Sequence, residues 1–269
     1  MVENWFRGRS RVLFVHAHPD DESIATGGTL AALAEAGREP LLVTLTRGER
    51  GEVVPGPLQG LVRAHGLAVV RQNELKTALG MLGLERHVFL GVEPARAEGE
   101  PPTIYEDSGM SWGADGRATT APDVTADALT SVPAVEVLND LLAGVHLSGA
   151  QGIVSYDDGG GYGHPDHVLA HRISRAVATA LGLPFWEIVA EPGEAAPPGV
   201  AEALQPGGGE AAQGAEVETH DVSPWLDRKI AALRAYATQL TVDGGDIVHV
   251  GGQRQVIEKV ERFRLRTLE

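Results

Sequence analysis

Two apolar runs that each break off into histidines and aspartates limit what this chain can fold into more than any other feature. The first, Val12-Leu13-Phe14-Val15, leads directly into His16-Ala17-His18-Pro19-Asp20-Asp21-Glu22. The second, Gly152 to Tyr156, is followed by Tyr162-Gly163-His164-Pro165-Asp166-His167. A short unbroken apolar run reads as a strand buried on both faces, and such strands belong to parallel sheets covered by helices. In open sheets of that kind, ligands and chemistry collect beyond the carboxyl ends of the strands. Carboxylates crowded against a buried strand are costly unless a cation offsets them. The two clusters together predict one metal site assembled from both halves of the chain.

The remaining pattern agrees, with strands and helices alternating along the sequence. Strands are expected at 11–15, 40–46, 86–90, 152–156 and 184–190, and helices at 29–36, 68–82, 132–147 and 225–240, while 164–181 begins as a loop and becomes a helix. Gly37 stands where a helix ends in a left-handed residue, and Pro224 suits the first turn of the last helix. Residues 91–130 lack periodicity, and a loop of that length in a compact fold is commonly a working one. The segment 191–219 is rich in Pro, Gly, Ala and Glu and has no Lys or Arg, which predicts a flexible acidic insertion. With no internal repeat and a cluster in each half, residues 1–269 read as one α/β domain. Its expected form is a Rossmann-like, mostly parallel sheet with helices on both faces and long active-site loops.

A net charge of −15 argues against a nucleic-acid or anionic-membrane partner. No stretch reaches the roughly 20 apolar residues of a membrane span. The N-terminus lacks the apolar core of a signal peptide, so a cytoplasmic protein is expected. Whether it works alone or as a homo-oligomer is left open. The chain has no cysteine, so any metal must take His, Asp or Glu.

His18 and Asp21 are three residues apart on a turn stiffened by Pro19, so both can reach one point. A third ligand from His164 or His167 completes a two-His, one-carboxylate face. Three protein ligands leave positions open for water and substrate, the mark of catalytic zinc. The same set also suits Fe(II) or another divalent ion. His167 and His171 lie one helical turn apart and form a weaker rival pair, since His171 sits deeper in the helix without a carboxylate. His16 reads as a hydrogen-bonded core residue. Arg47, Arg50, Arg63 and Arg71 gather near the same sheet edge and suit hydroxyl-rich or anionic groups.

At these residues the chain resembles the LmbE-like zinc deacetylases, the family of GlcNAc-phosphatidylinositol de-N-acetylase. The string Ala17 to Glu22 matches that family's signature and His164 to His167 its second motif. The likeness is greatest to the mycothiol-pathway branch, through Thr46 to Glu52, Arg71 to Leu75, Asp107 to Met110, Gly160 to Val168 and Trp225 to Gly244. Ala25 departs from it, standing where that branch has a substrate-contacting serine. The resemblance implies zinc bound by His18, Asp21 and His167, with Asp20 as general base. It implies that Tyr162 and His164 assist at the carbonyl, that Asp166 orients His164, and that Arg71 and Asp107 contact the sugar or its inositol partner. The implied substrate is a small amino sugar such as N-acetylglucosaminyl-inositol, which loses its N-acetyl group. A mycothiol S-conjugate or the sugar of an antibiotic is the alternative within the family.

The chemistry is consistent with those roles. An amide is a poor electrophile and water a poor nucleophile, so a metal and a base are both needed. Asp20, beside a ligand but free itself, suits the base, while Glu22 suits holding the turn. Arg50 would join Arg71 at the substrate, and Trp112 would cover an apolar sugar face. A dinucleotide-binding oxidoreductase shares the fold class, but acids stand here where its glycine-rich phosphate turn would be. A catalytically inactive metal-binding module would not need Asp20, Tyr162 and His164 beside the ligands.

Overall fold

The computed structural model of the chain describes residues 2–113, 118–190 and 216–267. In chain order the elements begin β1 (Val12–His16), α1 (Asp21–Ala25), α2 (Gly27–Glu35), β2 (Leu41–Thr44), α3 (Leu58–His65), α4 (Leu67–Leu82) and β3 (His87–Phe89). There follow β4 (Met110–Trp112), β5 (Ala118–Thr120), α5 (Ala134–Ser148), β6 (Gly152–Tyr156), α6 (Pro165–Leu181) and β7 (Phe185–Ile188). The last are β8 (Val217–Asp221), α7 (Leu226–Ala235), β9 (Leu240–Asp243), β10 (Asp246–His249), β11 (Arg254–Val256) and β12 (Val260–Arg266).

Seven strands make one sheet in the order β3-β2-β1-β6-β7-β12-β8. The pairings from β3 through β7 are parallel, and β12 joins β7 and β8 antiparallel. The expected mostly parallel α/β architecture is therefore present. Alternate side chains of each strand point to opposite faces, and the core divides accordingly. On one face Phe14, Leu42, Val154 and Trp186 pack with Leu30 and Leu33 of α2, Leu75 and Leu79 of α4, and Leu233 of α7. On the other, Leu13, Val43, Ile153 and Phe185 pack with Leu141 and Val145 of α5 and Ile173 and Val177 of α6. Among the described residues no helix is long and apolar enough to cross a membrane.

Two expectations are corrected. The helix expected at 225–240 ends at Ala235. Tyr236 turns out of helical geometry (φ −85°, ψ 47°), and the Thr238 N–H and hydroxyl are taken by Glu74 at 2.8 and 2.7 Å. Leu240 keeps its buried place, but as the first residue of β9. The expected insertion at 191–219 falls on residues outside those described as far as 215, and its last residues belong to β8 instead. Composition misread them because Glu218 and His220 are polar yet find partners across the fold. Glu218 accepts the Phe6 N–H at 2.7 Å and the Trp186 indole N–H at 2.9 Å, and His220 Nδ1 meets the Thr29 hydroxyl at 3.1 Å.

Glu218 therefore fastens the edge of the sheet to the N-terminal segment. Burial alone would raise its carboxyl, but hydrogen bonds from His220 and the Phe6 N–H outweigh burial and hold it below the usual glutamate value. A depressed carboxyl adds stability above its unfolded value, about 4.3, and loses that contribution as pH falls through the folded one. Denaturant unfolding followed against pH should show stability dropping below about pH 4.3. Glu218→Gln should cost about 1–2 kcal/mol at pH 7 and flatten that acid-side slope; an unaltered slope would remove Glu218 from this role.

Candidate active site

The strand order reverses between β1 and β6, because the chain goes from β1 outward to β2 and β3, and from β6 outward to β7. Connections leaving the two strand ends in opposite directions open a crevice between them. The turn from β1 into α1 and the loop from β6 into α6 both empty into it. The first brings His18, Asp20 and Asp21, and the second Tyr162, His164, Asp166 and His167.

Asp21 Oδ2 lies 3.3 Å from His18 Nδ1 and 3.3 Å from His167 Nε2, and the two nitrogens are 3.4 Å apart. A tetrahedral ion with bonds of about 2.0–2.1 Å needs its ligand atoms about 3.3–3.4 Å from one another. The three atoms already have that spacing, so the donor set fits a divalent cation without rearrangement. Burial would raise the Asp21 carboxyl, but His167 and His18 hold it well below the carboxylate range. His164 also brings a ring nitrogen within 4.8 Å of those of His18 and His167. Its Nδ1, however, accepts the Asp166 N–H at 3.2 Å, which assigns its proton to Nε2. Burial, with His18 and His167 nearby, lowers its pKa to about 3, so the ring is neutral. His171 is turned away, its Nδ1 on the Tyr156 carbonyl at 3.0 Å.

Tyr156, read from sequence only as the end of a strand, links both halves of the site. Its hydroxyl accepts the Ala17 N–H at 2.9 Å and donates to Asp21 Oδ2 at 2.8 Å. Its ring stacks on His167 with centroids 4.0 Å apart. An aromatic residue closing a strand beside the second histidine cluster was the available signal. The Asp166 carboxylate also differs from expectation. It faces His18, with Oδ2 3.1 Å from Nε2, and accepts the Ser108 N–H at 3.0 Å; toward His164 it offers only its backbone N–H. The reason is geometric, since Asp166 sits in the first turn of α6, where His164 is the capping residue.

Asp20 has φ 118° and ψ −33°, a conformation that costs a non-glycine residue about 1–3 kcal/mol. It aims a carboxylate into the crevice while its neighbour Asp21 serves the triangle. Glu22 holds the turn, accepting the Asp20 N–H at 3.1 Å and the Tyr236 hydroxyl at 2.6 Å. Burial is the main force raising the Asp20 carboxyl to about 7, with Arg71 opposing it and Asp21 adding to it.

The residues expected to meet substrate are placed unevenly. Arg71 is buried, its Nη2 on Asp20 Oδ2 at 3.0 Å and on the Pro19 carbonyl, its Nη1 on the Gly48 carbonyl at 2.7 Å. Gly48 has φ +64°, and a Cβ there would lie 2.1 Å from Arg71 Nη1, so only glycine admits this clamp. Arg50 is bound to Asp123 through its carboxylate and carbonyl. Asp107 lies with Oδ1 3.6 Å from His18 Nε2 and accepts the Gly109 N–H at 2.7 Å. Arg47 is buried over the Phe89 ring, 4.5 Å from its centroid, and Arg63 is exposed on α3. The Tyr162 hydroxyl, pushed up by burial, stays protonated, its ring 5.2 Å from that of His167.

Two substitutions separate these placements. Tyr156→Phe keeps the ring on His167 but removes the donor to Asp21, and should weaken divalent-metal affinity about 10–100-fold in a chelator competition; unchanged affinity would make the hydroxyl irrelevant to the ligand. Arg71→Gln should lower kcat by about tenfold or more, with little change in KM, because it frees Asp20 from a fixed aim. A rise in KM alone would mark Arg71 as a sugar contact instead.

The model of the family described as PIG-L, GlcNAc-PI de-N-acetylase, matches residues 13–178. A 1D-myo-inositol 2-acetamido-2-deoxy-alpha-D-glucopyranoside deacetylase of Kineococcus radiotolerans is 42% identical over 261 residues, covering 87% of this chain and 70% of its own. The protein of the same name from Thermobifida fusca is 37% identical over 283 residues, covering 95% and 92%. Among solved structures, N,N'-diacetylchitobiose deacetylase from Pyrococcus horikoshii is similar in fold, with a TM-score of 0.55 at 19% identity over 88% of this chain and 73% of that one. The A40926 pseudoaglycone deacetylase matches with a TM-score of 0.58 at 17% identity, covering 97% and 99%. The chain belongs to the GlcNAc-PI de-N-acetylase family.

Proposed function

We propose that this protein hydrolyses the N-acetyl group of a glucosamine-containing small molecule, using a divalent cation, zinc foremost, held by His18, Asp21 and His167. The observation that carries the reading is the ligand-spaced triangle of Asp21, His18 and His167 with the Asp20 carboxylate beside it, outside the triangle and paired with Arg71. N-acetylglucosaminyl-inositol is the substrate toward which the names of the relatives point, and the cytoplasm is the compartment we assign.

When bound, the cation supplies Lewis acidity, making water a better nucleophile and an acetyl oxygen a better acceptor of charge. The chain's own residues do the rest. Asp20 accepts the proton that water loses as its oxygen bonds to the acetyl carbon. The neutral His164, with its proton on Nε2, and the protonated Tyr162 are donors for the oxygen that gains charge, a role commonly worth about 3–4 kcal/mol per donor. Cleavage of the C–N bond releases acetic acid, and the proton held by Asp20 passes to the departing nitrogen, giving the free amine; the acid then ionises to acetate in solution. Asp107 is left to bond substrate hydroxyls, since Arg71 and Arg50 are engaged within the protein.

Purified protein should contain about one equivalent of zinc or iron by elemental analysis. It should also free amine, read by fluorescamine, from N-acetylglucosaminyl-inositol. Asp20→Asn should retain the metal while turnover falls about 10²–10⁴-fold, and Asp21→Ala should lose the metal. Normal turnover by Asp20→Asn would show that the base is another group.

A further inference from the structure

Arg71 is held by the Pro19 and Gly48 carbonyls and Asp20, and Arg50 by Asp123, whereas a large aromatic side chain on the hairpin that leaves the Asp107 corner is half-exposed. Trp112 is 50% exposed, whereas Trp5 and Trp186 pack against other rings and Trp225 lies edge-on to Trp5. It ends β4, which runs directly from the Asp107-Ser108-Gly109 corner of the site. That corner is held from outside, because Arg50 passes so close to Gly109 that a Cβ there would lie 2.6 Å from its Nε, and Arg50 is in turn tied to Asp123. β4 pairs antiparallel with β5, with Trp112 opposite Ala118. Residues directly opposite in such a pair project to the same face. Ala118 abuts Gly163, where an added Cβ would lie 4.0 Å from the Ala118 Cβ. Gly163 is flanked by Tyr162 and His164, so the hairpin that carries Trp112 packs beside the loop that supplies both side chains. Three residues of extended chain, about 10 Å, carry it past Gly109. That offset suits a group attached to the acetylated ring, beyond the reacting centre.

We infer that Trp112 is a stacking platform for the second ring of the substrate, the cyclitol or sugar joined to the N-acetylglucosamine. The inference rests on the amino-sugar reading above and deepens it. A six-membered polyol ring presents C–H groups on one face, and an indole covers that face with a large rigid area while losing only two rotatable bonds. Being uncharged, the platform selects by the presence and shape of a second ring, and contributes to binding with no part in the bond changes.

The experiment compares N-acetylglucosaminyl-inositol with free N-acetylglucosamine as substrates of the wild type, Trp112→Ala and Trp112→Phe, each loaded with zinc and checked for an unchanged melting temperature. Trp112→Ala should raise KM for the two-ring substrate about tenfold with kcat unchanged, and leave KM for the single ring as it was. Trp112→Phe should recover most of the loss. Addition of the amine product glucosaminyl-inositol should change the tryptophan fluorescence of the wild type and not that of Trp112→Ala. An unchanged KM for the two-ring substrate, or an equal rise for both substrates, overturns the platform. A wild-type enzyme that frees amine from neither compound overturns the substrate reading itself, and the platform with it.

Discussion

The parallel pairing of β1 with β6 is the constraint on which the rest of the site depends. Residues about 140 apart in sequence become hydrogen-bonded neighbours, with Val12 beside Gly152 and Phe14 beside Val154. Parallel strands in that register end level with each other, so the turn after His16 and the loop after Tyr156 start from the same edge. Ala17 then donates to Tyr156 at 2.9 Å, and imidazoles from either half approach one carboxylate oxygen. Nothing local to either motif would produce the triangle, because His18 and Asp21 share a turn whereas His167 arrives only through the sheet. The apolar cores on the two faces of the sheet thus hold a polar cluster that could not assemble alone.

Carboxylates in this crevice are numerous, and each is matched to specific donors. Asp21 accepts the Tyr156 hydroxyl and the His18 N–H, Asp166 accepts from Ser108 and faces His18, and Asp107 accepts from Gly109. Asp20 has Arg71. Unmatched, any of these groups would be driven toward its neutral form by burial. The matching differs in kind, however. Asp21 is surrounded by imidazoles and stays ionised, while Asp20, more desolvated than compensated, is raised to about 7. Adjacent residues of one type are thereby divided into a carboxylate held ionised among imidazoles and a group that can take up and release a proton. Backbone strain at Asp20 is the means of aiming the two side chains apart, and Arg71, reaching the Pro19 and Gly48 carbonyls, keeps that strained turn in place.

Much of this was legible in the sequence because the strong signals were short and local. Unbroken apolar runs ending in His and Asp fixed the strands of the parallel region and the residues at their ends. The β8 strand was not legible, since its inward residues Glu218 and His220 are polar and are satisfied by Phe6, Trp186 and Thr29, none of which is near in sequence. The end of α7 was hidden for a related reason. Apolar periodicity continues to Leu240, and only the capture of Thr238 by Glu74 turns the chain into a strand. Arg71 and Arg50 were read as ligand contacts, and their bonds to Asp20 and Asp123 were not legible because those partners lie 51 and 73 residues away. Tyr156 was hidden by its own hydrophobicity, which suited a strand end equally well.

The family match covers residues 13–178, which contain every expected ligand and catalytic side chain, yet the site is braced from beyond that span. Tyr236 on the turn after α7 donates to Glu22 at 2.6 Å, and Glu22 receives the Asp20 N–H, so the strained Asp20 is joined to the C-terminal third through one carboxylate. Glu261 of β12 accepts the N–H groups of Gly28 and Thr29 at 2.9 and 2.8 Å and is neutralised by the buried Lys229 at 2.7 Å. This satisfies the free N–H groups at the buried amino end of α2, the helix that follows the His18–Asp21 turn. Gly28 itself has no room for a side chain, because a Cβ would lie 2.4 Å from that of Val222. The antiparallel strands beyond β7 therefore do more than cover an edge of the sheet. Glu261 on β12, paired with Lys229 of α7, supplies the buried charge that holds the start of α2 beside the first motif.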